Sequence, residues 1–298
     1  MELRHLVTFQ KTAALLSFTR AAQELNYAQS SVTSQIRALE DSLGVELFDR
    51  IGGKIRLTEA GERLLVYADQ ILTLTEEARS DVTGSNEPAG TLVIGTMESI
   101  TSYRIPPLLE FFHHRYPRLQ LSMRPSLCAE TRHALRHGTF DIGFLMEQET
   151  VHPGLSSVVL LEEPLVLIAA PSHPLAAAAS VTLADLASTA LLATETGCAY
   201  RDLFEEQFDE PVSFLEFGTI EAIKRGVMAG LGVALLPEIT VRQEVERKEI
   251  AVLPWKVPFA VHTQLAWRQG KRLTREMQLF IDHTLSLVAQ EPRLRGGG

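Results

Sequence analysis

A run of polar side chains near the N-terminus has the chemistry of a nucleic-acid contact. These residues share hydrogen-bonding groups, lack negative charge and lie on one face of a predicted helix: Gln29, Ser30, Ser31, Thr33, Ser34, Gln35 and Arg37. Free backbone N–H groups at the start of a helix can bind phosphate, and Gln or Arg can reach base edges in the major groove. The alternative is a solvated helix face, but such faces usually carry acids, and the first acid here is Glu40. The pattern favours DNA binding.

A basic hairpin is predicted directly after this helix. Two short alternating strands flank a Gly-Gly turn at residues 52–53, which is typical of a tight hairpin. Its basic residues are Arg50, Lys54 and Arg56. We expect this hairpin to be a wing that lies along the phosphate backbone and positions the protein without reading base sequence.

Three loops further along the chain carry side chains that could bind a small molecule. Each follows a short apolar strand and opens a helix, which is where ligands bind in α/β sheets. The candidate residues are Thr96, Glu98, Ser99, Ile100, Thr101, Thr196, Cys198, Tyr200, Arg201, Thr219 and Glu221. Free N–H groups and the Arg201 guanidinium suit an anion, most simply a carboxylate. Glu98 opposes a highly charged anion unless it points away or pairs with Arg201, and the hydroxyls could simply cap their own helices.

The remaining candidates for chemistry are weaker. Cys198 sits where a helix N-terminus would stabilise a thiolate, but the only other cysteine, Cys128, is expected elsewhere in the fold, so plain pocket lining is favoured over redox sensing. The histidine pairs 113–114 and 133–137 have no Cys or acid to complete a ligand set, so we predict no metal and no cofactor. The sequence contains no nucleophile elbow, phosphate loop or dinucleotide fingerprint, so we predict no enzyme.

Three short helices position the polar face. Apolar residues recur every three or four positions from Leu3 to Leu16, Ser17 can cap a second helix over 18–25, and a third runs from Gln29 to Leu43 with Gly44 as its stop. Two helices joined by a turn of three or four residues, the second with a polar outer face, predict a helix-turn-helix.

A long helix begins after the hairpin, with Thr58 as its N-cap. Its apolar and small residues alternate at spacings of four and three, which favours a dimer coiled coil over packing on its own domain. The residues assigned to the dimer contact are Leu64, Ala68, Ile71, Leu72 and Thr75. Two recognition helices would then be spaced as a two-fold operator requires.

From residue 91 onward, short apolar strands alternate with helices, which predicts a buried α/β sheet in two lobes. The predicted division is residues 1–58 for DNA binding, 59–90 for the linker helix and hinge, and 91–298 for regulation. In the last part, the first lobe takes residues 91–161 and 267–298, and the second takes 162–266.

The charge and the cysteine content of the chain are compatible with this division into three parts. The net charge of −9 argues against a protein coated in nucleic acid, but residues 1–58 carry seven basic and six acidic residues, a net of +1, so the negative excess lies downstream. No leader or membrane-spanning apolar run is recognised and two distant cysteines form no disulfide framework, so we expect a cytoplasmic protein with no membrane contact.

The segments 18–25, 29–40, 43–50 and 57–61 resemble the LysR-type transcriptional regulators, and the similarity extends over essentially the whole chain. The resemblance implies a winged helix-turn-helix (to which Arg20 contributes a DNA contact), a dimerising linker helix and a two-lobed effector domain like a periplasmic binding protein. It also implies a homodimer or homotetramer on a partly palindromic double-stranded operator, a small-molecule effector, and RNA polymerase as a further partner. The loops matching Ser99, Thr101 and 196–200 line the effector cleft in the family.

One departure from the family concerns DNA recognition. Many members carry Pro where Ser30 stands and Arg where Ser34 stands, so the contact expected at position 34 is weakened. Peroxide-sensing members use a cysteine in the loop of Cys198, which leaves a redox-responsive regulator as the alternative function. A binding protein without a regulatory role is a third.

Overall fold

The computed structural model describes residues 1–51, 54–83 and 87–290. Its N-terminal unit contains, in chain order, α1 (Leu3–Leu15), α2 (Phe18–Glu24), α3 (Gln29–Leu43), β1 (Phe48–Ile51), β2 (Lys54–Leu57) and α4 (Glu59–Thr83). The strands β1 and β2 pair antiparallel, while their predicted Gly-Gly turn at 52–53 lies outside the described residues.

Local signals determine where these helices begin and end. The Ser17 hydroxyl accepts a hydrogen bond from the Arg20 N–H at 3.3 Å, which caps α2 as predicted. Gly44 ends α3 with a φ of 71°, a left-handed conformation that suits glycine. The Thr58 hydroxyl caps α4 by accepting from the Gly61 N–H at 3.0 Å. A Cβ at Gly61 would overlap the Leu47 carbonyl oxygen, so glycine allows α4 to approach the start of the hairpin closely.

One apolar core joins the helices and the hairpin of the N-terminal unit. Leu6, Phe9, Val32 and Leu39 are fully buried in it, and the Phe9 and Phe48 rings lie 5.4 Å apart between centroids. The ring of Phe48 therefore anchors the hairpin to the first helix.

The predicted dimer seam of α4 packs within its own unit. Ala68 is buried in the N-terminal core, and Leu64, Ile71 and Leu72 pack against that core, while the Thr75 hydroxyl donates to the Ile71 carbonyl at 2.8 Å. Alternating spacing alone cannot say which partner an apolar stripe meets. Apart from Ala68, the residues assigned to the dimer contact are only half-buried in the single chain, so that assignment stays a prediction. The large apolar side chains that α4 exposes are instead Tyr67, Leu74 and Val82.

The second unit has two lobes, each built on a five-stranded mixed sheet. The first lobe contains β3 (Gly90–Thr96), α5 (Pro106–Arg115), β4 (Leu119–Pro125), α6 (Cys128–His137), β5 (Ile142–Glu147) and β6 (Leu155–Glu162). The second contains β7 (Leu165–Ala169), α7 (Leu183–Ala187), β8 (Leu191–Ala193), α8 (Ala199–Glu205), β9 (Phe214–Glu216), α9 (Ile220–Met228), β10 (Val233–Pro237), α10 (Arg242–Glu246) and β11 (Ala251–Val252). The chain then forms β12 (His262–Arg268) and α11 (Arg275–Gln290).

Strand pairing corrects one sequence expectation. The first sheet has the order β4-β3-β5-β12-β6, so β12 belongs to the first lobe and the chain returns there by His262 rather than at residue 267. The chain leaves the first sheet after β6, which ends at Glu162, and enters the second sheet with β7. The error at residue 267 arises because an apolar strand carries no sign of the sheet it joins.

No helix in the described parts of the chain is long and apolar enough to span a bilayer.

Candidate functional site

The outer face of α3 is open to solvent along its N-terminal half. Gln29, Ser30, Ser31, Ser34 and Arg37 are exposed there. A shallow depression along this face is lined by Gln29, Ser30, Thr33, Ser34, Arg37, Ala38 and Asp41. Hydrogen-bonding groups that point outward from a helix are what a major-groove contact requires.

Two side chains of the polar run 29–37 form hydrogen bonds within the fold. The Thr33 hydroxyl is half-buried and donates to the Gln29 carbonyl at 3.0 Å. Gln35 was assigned to the outer face, but it is half-buried and its Oε1 accepts from the Thr8 hydroxyl of α1 at 2.7 Å. The outer face is therefore narrower than the sequence predicts.

The structure describes the side chains of only some of the basic residues predicted beside this face. Arg20 on α2 and Arg56 on β2 are exposed. Arg50 and Lys54 occupy ladder positions opposite Ile55 and Ile51, respectively, and their side chains lie outside the described part of the chain. Two basic side chains, from α2 and the hairpin, thus remain available for phosphate.

A cleft of about 390 Å³ lies between the two lobes. The first lobe lines it with Met97, Glu98, Ser99, Pro125, Ser126, Leu127, Cys128, Glu130 and Met146. The second lobe lines it with Thr194, Glu195, Cys198, Ala199, Tyr200, Gly218 and Ile220. These residues follow the carboxyl ends of β3, β4, β5, β8 and β9, where α/β sheets bind ligands.

The structure brings four of the predicted effector residues to the cleft: Glu98, Ser99, Cys198 and Tyr200. It places the other seven outside the lining: Thr96, Ile100, Thr101, Thr196, Arg201, Thr219 and Glu221.

Local contacts explain why most of these seven side chains do not line the cleft. Ile100 is buried in the first-lobe core. The Thr101 hydroxyl donates to the Thr96 hydroxyl at 3.3 Å and to the Met97 carbonyl at 3.1 Å. Thr219 caps α9 by accepting from the Ala222 N–H at 3.2 Å. For these threonines, helix capping and local bonding are the observed roles.

The two charged residues among the seven have partners in their own lobe. Glu221 forms ion pairs with Arg225 at 2.8 Å and Lys224 at 3.2 Å. Arg201 is buried, and its Nη1 donates to the Thr194 carbonyl and to the Glu216 carboxylate, both at 2.6 Å. Arg201 therefore does not pair with Glu98, which was one of the two arrangements that would have admitted a highly charged anion, and it does not supply the cleft with the cation that the carboxylate expectation included.

Glu98 connects the two lobes. Its Oε2 accepts a hydrogen bond from the Ile220 N–H at 2.9 Å, at the start of the nine-residue helix α9. A carboxylate in this position satisfies an otherwise free N–H group and interacts favourably with the positive end of the helix dipole. The helix end that the sequence offered to an anionic effector is thus already bonded to a carboxylate of the chain.

One further contact joins the lobes, and a buried ion pair lies where the chain crosses from the first lobe to the second. The π-helical turn Ile100–Arg104 places the Tyr103 hydroxyl 3.3 Å from Nζ of Lys224, which is nearly buried on α9. Arg104 Nη2 lies 2.7 Å and 2.9 Å from the two carboxylate oxygens of Glu163, at the crossover from β6 to β7. Glu163 also accepts from the Thr263 hydroxyl of β12 at 2.8 Å. A change in lobe orientation would act on the two contacts that cross between the lobes, those of Glu98 with Ile220 and of Tyr103 with Lys224.

Both described cysteines line the cleft as protonated thiols at neutral pH. Burial above all, followed by the charge of Glu147, raises the pKa of Cys128 to about 12. Burial also raises the pKa of Cys198, and raises that of the neighbouring Tyr200 hydroxyl well above its usual value.

Sequence reasoning missed the loop after β4 and the end of β5, which contribute Ser126, Cys128, Glu130 and Met146. The signal was present, because both strands belong to the alternation of strands and helices predicted from residue 91 onward, and their carboxyl ends lie at the same edge of the sheet as that of β3.

Comparison with known proteins agrees with this arrangement. Residues 3–62 match the family model described as "Bacterial regulatory helix-turn-helix protein, lysR family", and residues 85–289 match "LysR substrate binding domain". The chain belongs to the LysR family of transcriptional regulators. It is therefore a DNA-binding regulator with an effector-binding domain, not an enzyme.

Relatives of this LysR-family regulator match nearly its full length. It is 41% identical over 288 residues to the uncharacterized HTH-type transcriptional regulator YwqM of Bacillus subtilis. The aligned region covers 95% of this chain and 98% of YwqM. It is 32% identical to GltR of the same organism, over 95% of this chain and 96% of GltR.

Solved structures of the family have the same fold. A full-length cysteine-to-aspartate variant of OxyR from Pseudomonas aeruginosa matches with a TM-score of 0.77 at 26% identity, over 97% of this chain and 95% of that one. Full-length CbnR in complex with its target DNA matches with a TM-score of 0.65 at 26% identity, over 96% of this chain and all of CbnR.

Proposed function

We propose that this regulator is an allosteric DNA-binding switch whose effector binds in the cleft between the lobes. The observation that carries the proposal is the bond from Glu98 to Ile220, because it joins the lobes at the wall of the cleft. An effector that changes this contact would change the lobe angle, and through it the relative angle of subunits and the bending of DNA. The coupling need be only about 1–3 kcal/mol.

The effector we propose carries no net negative charge. Glu98, Glu130 and Glu195 line the cleft, and none of the described lining residues is Lys, Arg or His. Glu130 also caps its own helix, by accepting from the Leu127 N–H at 3.0 Å. The carboxylate effector that the sequence predicted would have to displace Glu98 and approach two more acids, so an uncharged or cationic effector is favoured.

The proposed DNA-binding residues are those predicted from the sequence without Gln35, with the outer face of α3 in the major groove and the hairpin on the phosphates. We retain the division at residues 58 and 90, with the return to the first lobe moved to His262. A partly palindromic operator would be bound by two or four copies, and RNA polymerase is a further proposed partner. The exposed Tyr67, Leu74 and Val82 on α4, spaced seven and eight residues apart, support a contact with a second copy.

A redox-responsive regulator is the second candidate. The observation in its favour is that Cys128 and Cys198 line the same cleft. Their raised pKa values count against a peroxide sensor, because the thiolate is the species that reacts with peroxide.

Replacing Gln29 and Arg56 together by alanine should abolish specific operator binding and leave cleft ligands bound. Loss of a base contact costs about 1–3 kcal/mol, and loss of a phosphate contact lowers the salt slope of log K by about 1. Fluorescence anisotropy with operator DNA over a range of salt concentrations measures both effects. Arg63→Ala, an exposed arginine on α4, is the control. Unchanged operator affinity in the double variant would refute the assignment of the α3 face.

Filling the cleft should abolish the response to effector. Ala199 lines the cleft, and Ala199→Trp would occupy much of its volume. In a thermal-shift screen of neutral, cationic and anionic metabolites, a compound that raises the midpoint of the wild type should leave this variant unchanged. Ala187→Trp, at an exposed position on α7, should respond like the wild type. An effector that shifts the midpoint of the filled variant equally would place its site outside the cleft.

A further inference from the structure

Two hydrogen bonds among the described residues join the first lobe to helix α9 of the second. At the cleft, the Glu98 carboxylate accepts from the Ile220 N–H at 2.9 Å. Four residues further along α9, Lys224 Nζ donates to the Tyr103 hydroxyl at 3.3 Å and lies 5.3 Å from the centroid of the Tyr103 ring. The first pair lines the cleft and the second pair does not. The second contact can therefore act on the cleft wall without touching a ligand in the cleft.

The ammonium group of Lys224 is held by acceptors of its own lobe. The Lys224 side chain is 4% exposed, and its Nζ lies 2.6 Å from Glu244 Oε1, 3.1 Å from the Thr240 carbonyl oxygen and 3.2 Å from Glu221 Oε2. An ammonium group has three N–H donors, and these three acceptors match them in number. Tyr103 can therefore move away without leaving an unsatisfied charge in the interior, which would be strongly destabilising.

Tyr103 belongs to the first lobe but packs on the core of the second. Its half-buried ring lies against the apolar cluster that contains Ile223 and Leu236. It projects from the π-helical turn Ile100–Arg104, which is closed by a hydrogen bond of 3.1 Å from the Ile105 N–H to the Ile100 carbonyl. Turns of this kind are rare and occur frequently at functional sites. Both the ring and the hydroxyl of Tyr103 thus contact the opposite lobe.

The next residue of the same turn forms a contact of a different kind. Arg104 and Glu163 pair with side chains that are 4% and 0% exposed, so breaking this ion pair would leave two buried charges without a partner. Moving Tyr103 breaks one hydrogen bond and one cation–π contact, which are weak by comparison. The turn therefore carries one contact that stays fixed and one that can be released.

We propose that Tyr103 is a positioning residue for the effector cleft. With Lys224 it forms a latch that holds α9, and with it Ile220 in the cleft wall, against the first lobe while no effector is bound. This inference rests on the proposed function, since it concerns how the same cleft is switched. The position of the cleft wall then depends on a contact that the effector does not touch.

The test is amide hydrogen exchange of the full-length protein without effector, followed by mass spectrometry with fragmentation to single amides. Tyr103→Phe keeps the ring and removes the hydroxyl. We expect exchange at the Ile220 N–H to become about tenfold faster, because the loss of a hydrogen bond to a charged group loosens α9 from the first lobe. Exchange in β8 and β10, in the core of the second lobe, should not change.

Tyr116→Phe is the matched control. Tyr116 is also half-buried in the first lobe and also lies beside a cation, since the guanidinium carbon of Arg115 is 5.4 Å from its ring centroid. Because both of these residues belong to one lobe, the substitution should leave exchange at Ile220 unchanged. In a Lys224→Met background, Tyr103→Phe should have no further effect, because its partner is gone. The comparison of the two Tyr→Phe variants decides the inference even if Lys224→Met does not fold.

Unchanged exchange at Ile220 in Tyr103→Phe would overturn the inference. A rise of equal size in β8 and β10 would overturn it as well, because Tyr103 would then act only on global stability. If exchange at Ile220 is unchanged and the Ala199→Trp screen gives its expected result, this inference fails and the proposed function stands. If exchange rises as expected but an effector shifts the midpoint of Ala199→Trp equally, the latch stands and the effector site lies outside the cleft.

Discussion

Replacing Glu163 by alanine is expected to lower the free energy of unfolding of the two-lobed unit by about 3–5 kcal/mol. The side chains of Arg104 and Glu163 are 4% and 0% exposed, and both carboxylate oxygens lie within 2.9 Å of Arg104 Nη2. The substitution removes the carboxylate that compensates a buried guanidinium, and it removes the acceptor of the Thr263 hydroxyl. A charge left in a low-dielectric interior costs much more than the net value of the pair.

Urea denaturation of the full-length protein, followed by circular dichroism and tryptophan fluorescence, measures this loss. Glu162→Ala is the matched control, because Glu162, the last residue of β6, is the exposed neighbour of Glu163. Arg104→Met combined with Glu163→Ala should recover part of the stability, since neither buried charge is then present. Equal stability of the Glu163→Ala and Glu162→Ala proteins would show that the ion pair of Arg104 and Glu163 does not stabilise the connection between β6 and β7.

Phe9→Ala is expected to destabilise the DNA-binding unit by about 3–5 kcal/mol and to lower operator affinity with it. Phe9 is 0% exposed, and its ring contacts Phe48 on the hairpin, which also lies 5.6 Å from the ring of Phe18. A cavity at this point loosens the anchor of the hairpin, so the wing should lose its position on the phosphates before the whole unit unfolds.

Thermal unfolding combined with operator titration at a temperature below the transition separates the two effects. Val7→Ala on the same helix is the control, because Val7 is exposed and its truncation should change stability by less than about 0.5 kcal/mol. A Phe9→Ala protein that unfolds early but binds operator with normal affinity while folded would contradict the role of Phe9 as the anchor of the hairpin.

Features governed by neighbouring residues could be predicted from the sequence. The bounds of α3, the cap at Ser17 and the stop at Gly44 each depend on residues within one helical turn. The sheet of β12 could not be predicted, because its pairing partners lie about 100 residues away and any apolar strand could occupy the position.

The same distinction between local and long-range determinants applies to the cleft. Its location followed from the rule that ligands lie at the carboxyl ends of strands, which brought Glu98 and Cys198 into consideration. The role of Arg201 did not follow, because its partner Glu216 is on a neighbouring strand whose register the sequence does not reveal. Nor did the presence of both cysteines in the lining, which depends on how one lobe faces the other.

The carboxylate of Glu98 at the start of α9 has a consequence for selectivity in a crowded cell. Organic acids and inorganic anions are abundant metabolites, and a bare helix N-terminus at the cleft would sample all of them. Here the chain supplies its own anion at a distance of 2.9 Å, at an effective concentration that no free solute reaches. If the cleft binds the effector as proposed, this bond would insulate the regulator from fluctuations in the general acid pool and reserve the cleft for ligands recognised by other chemistry.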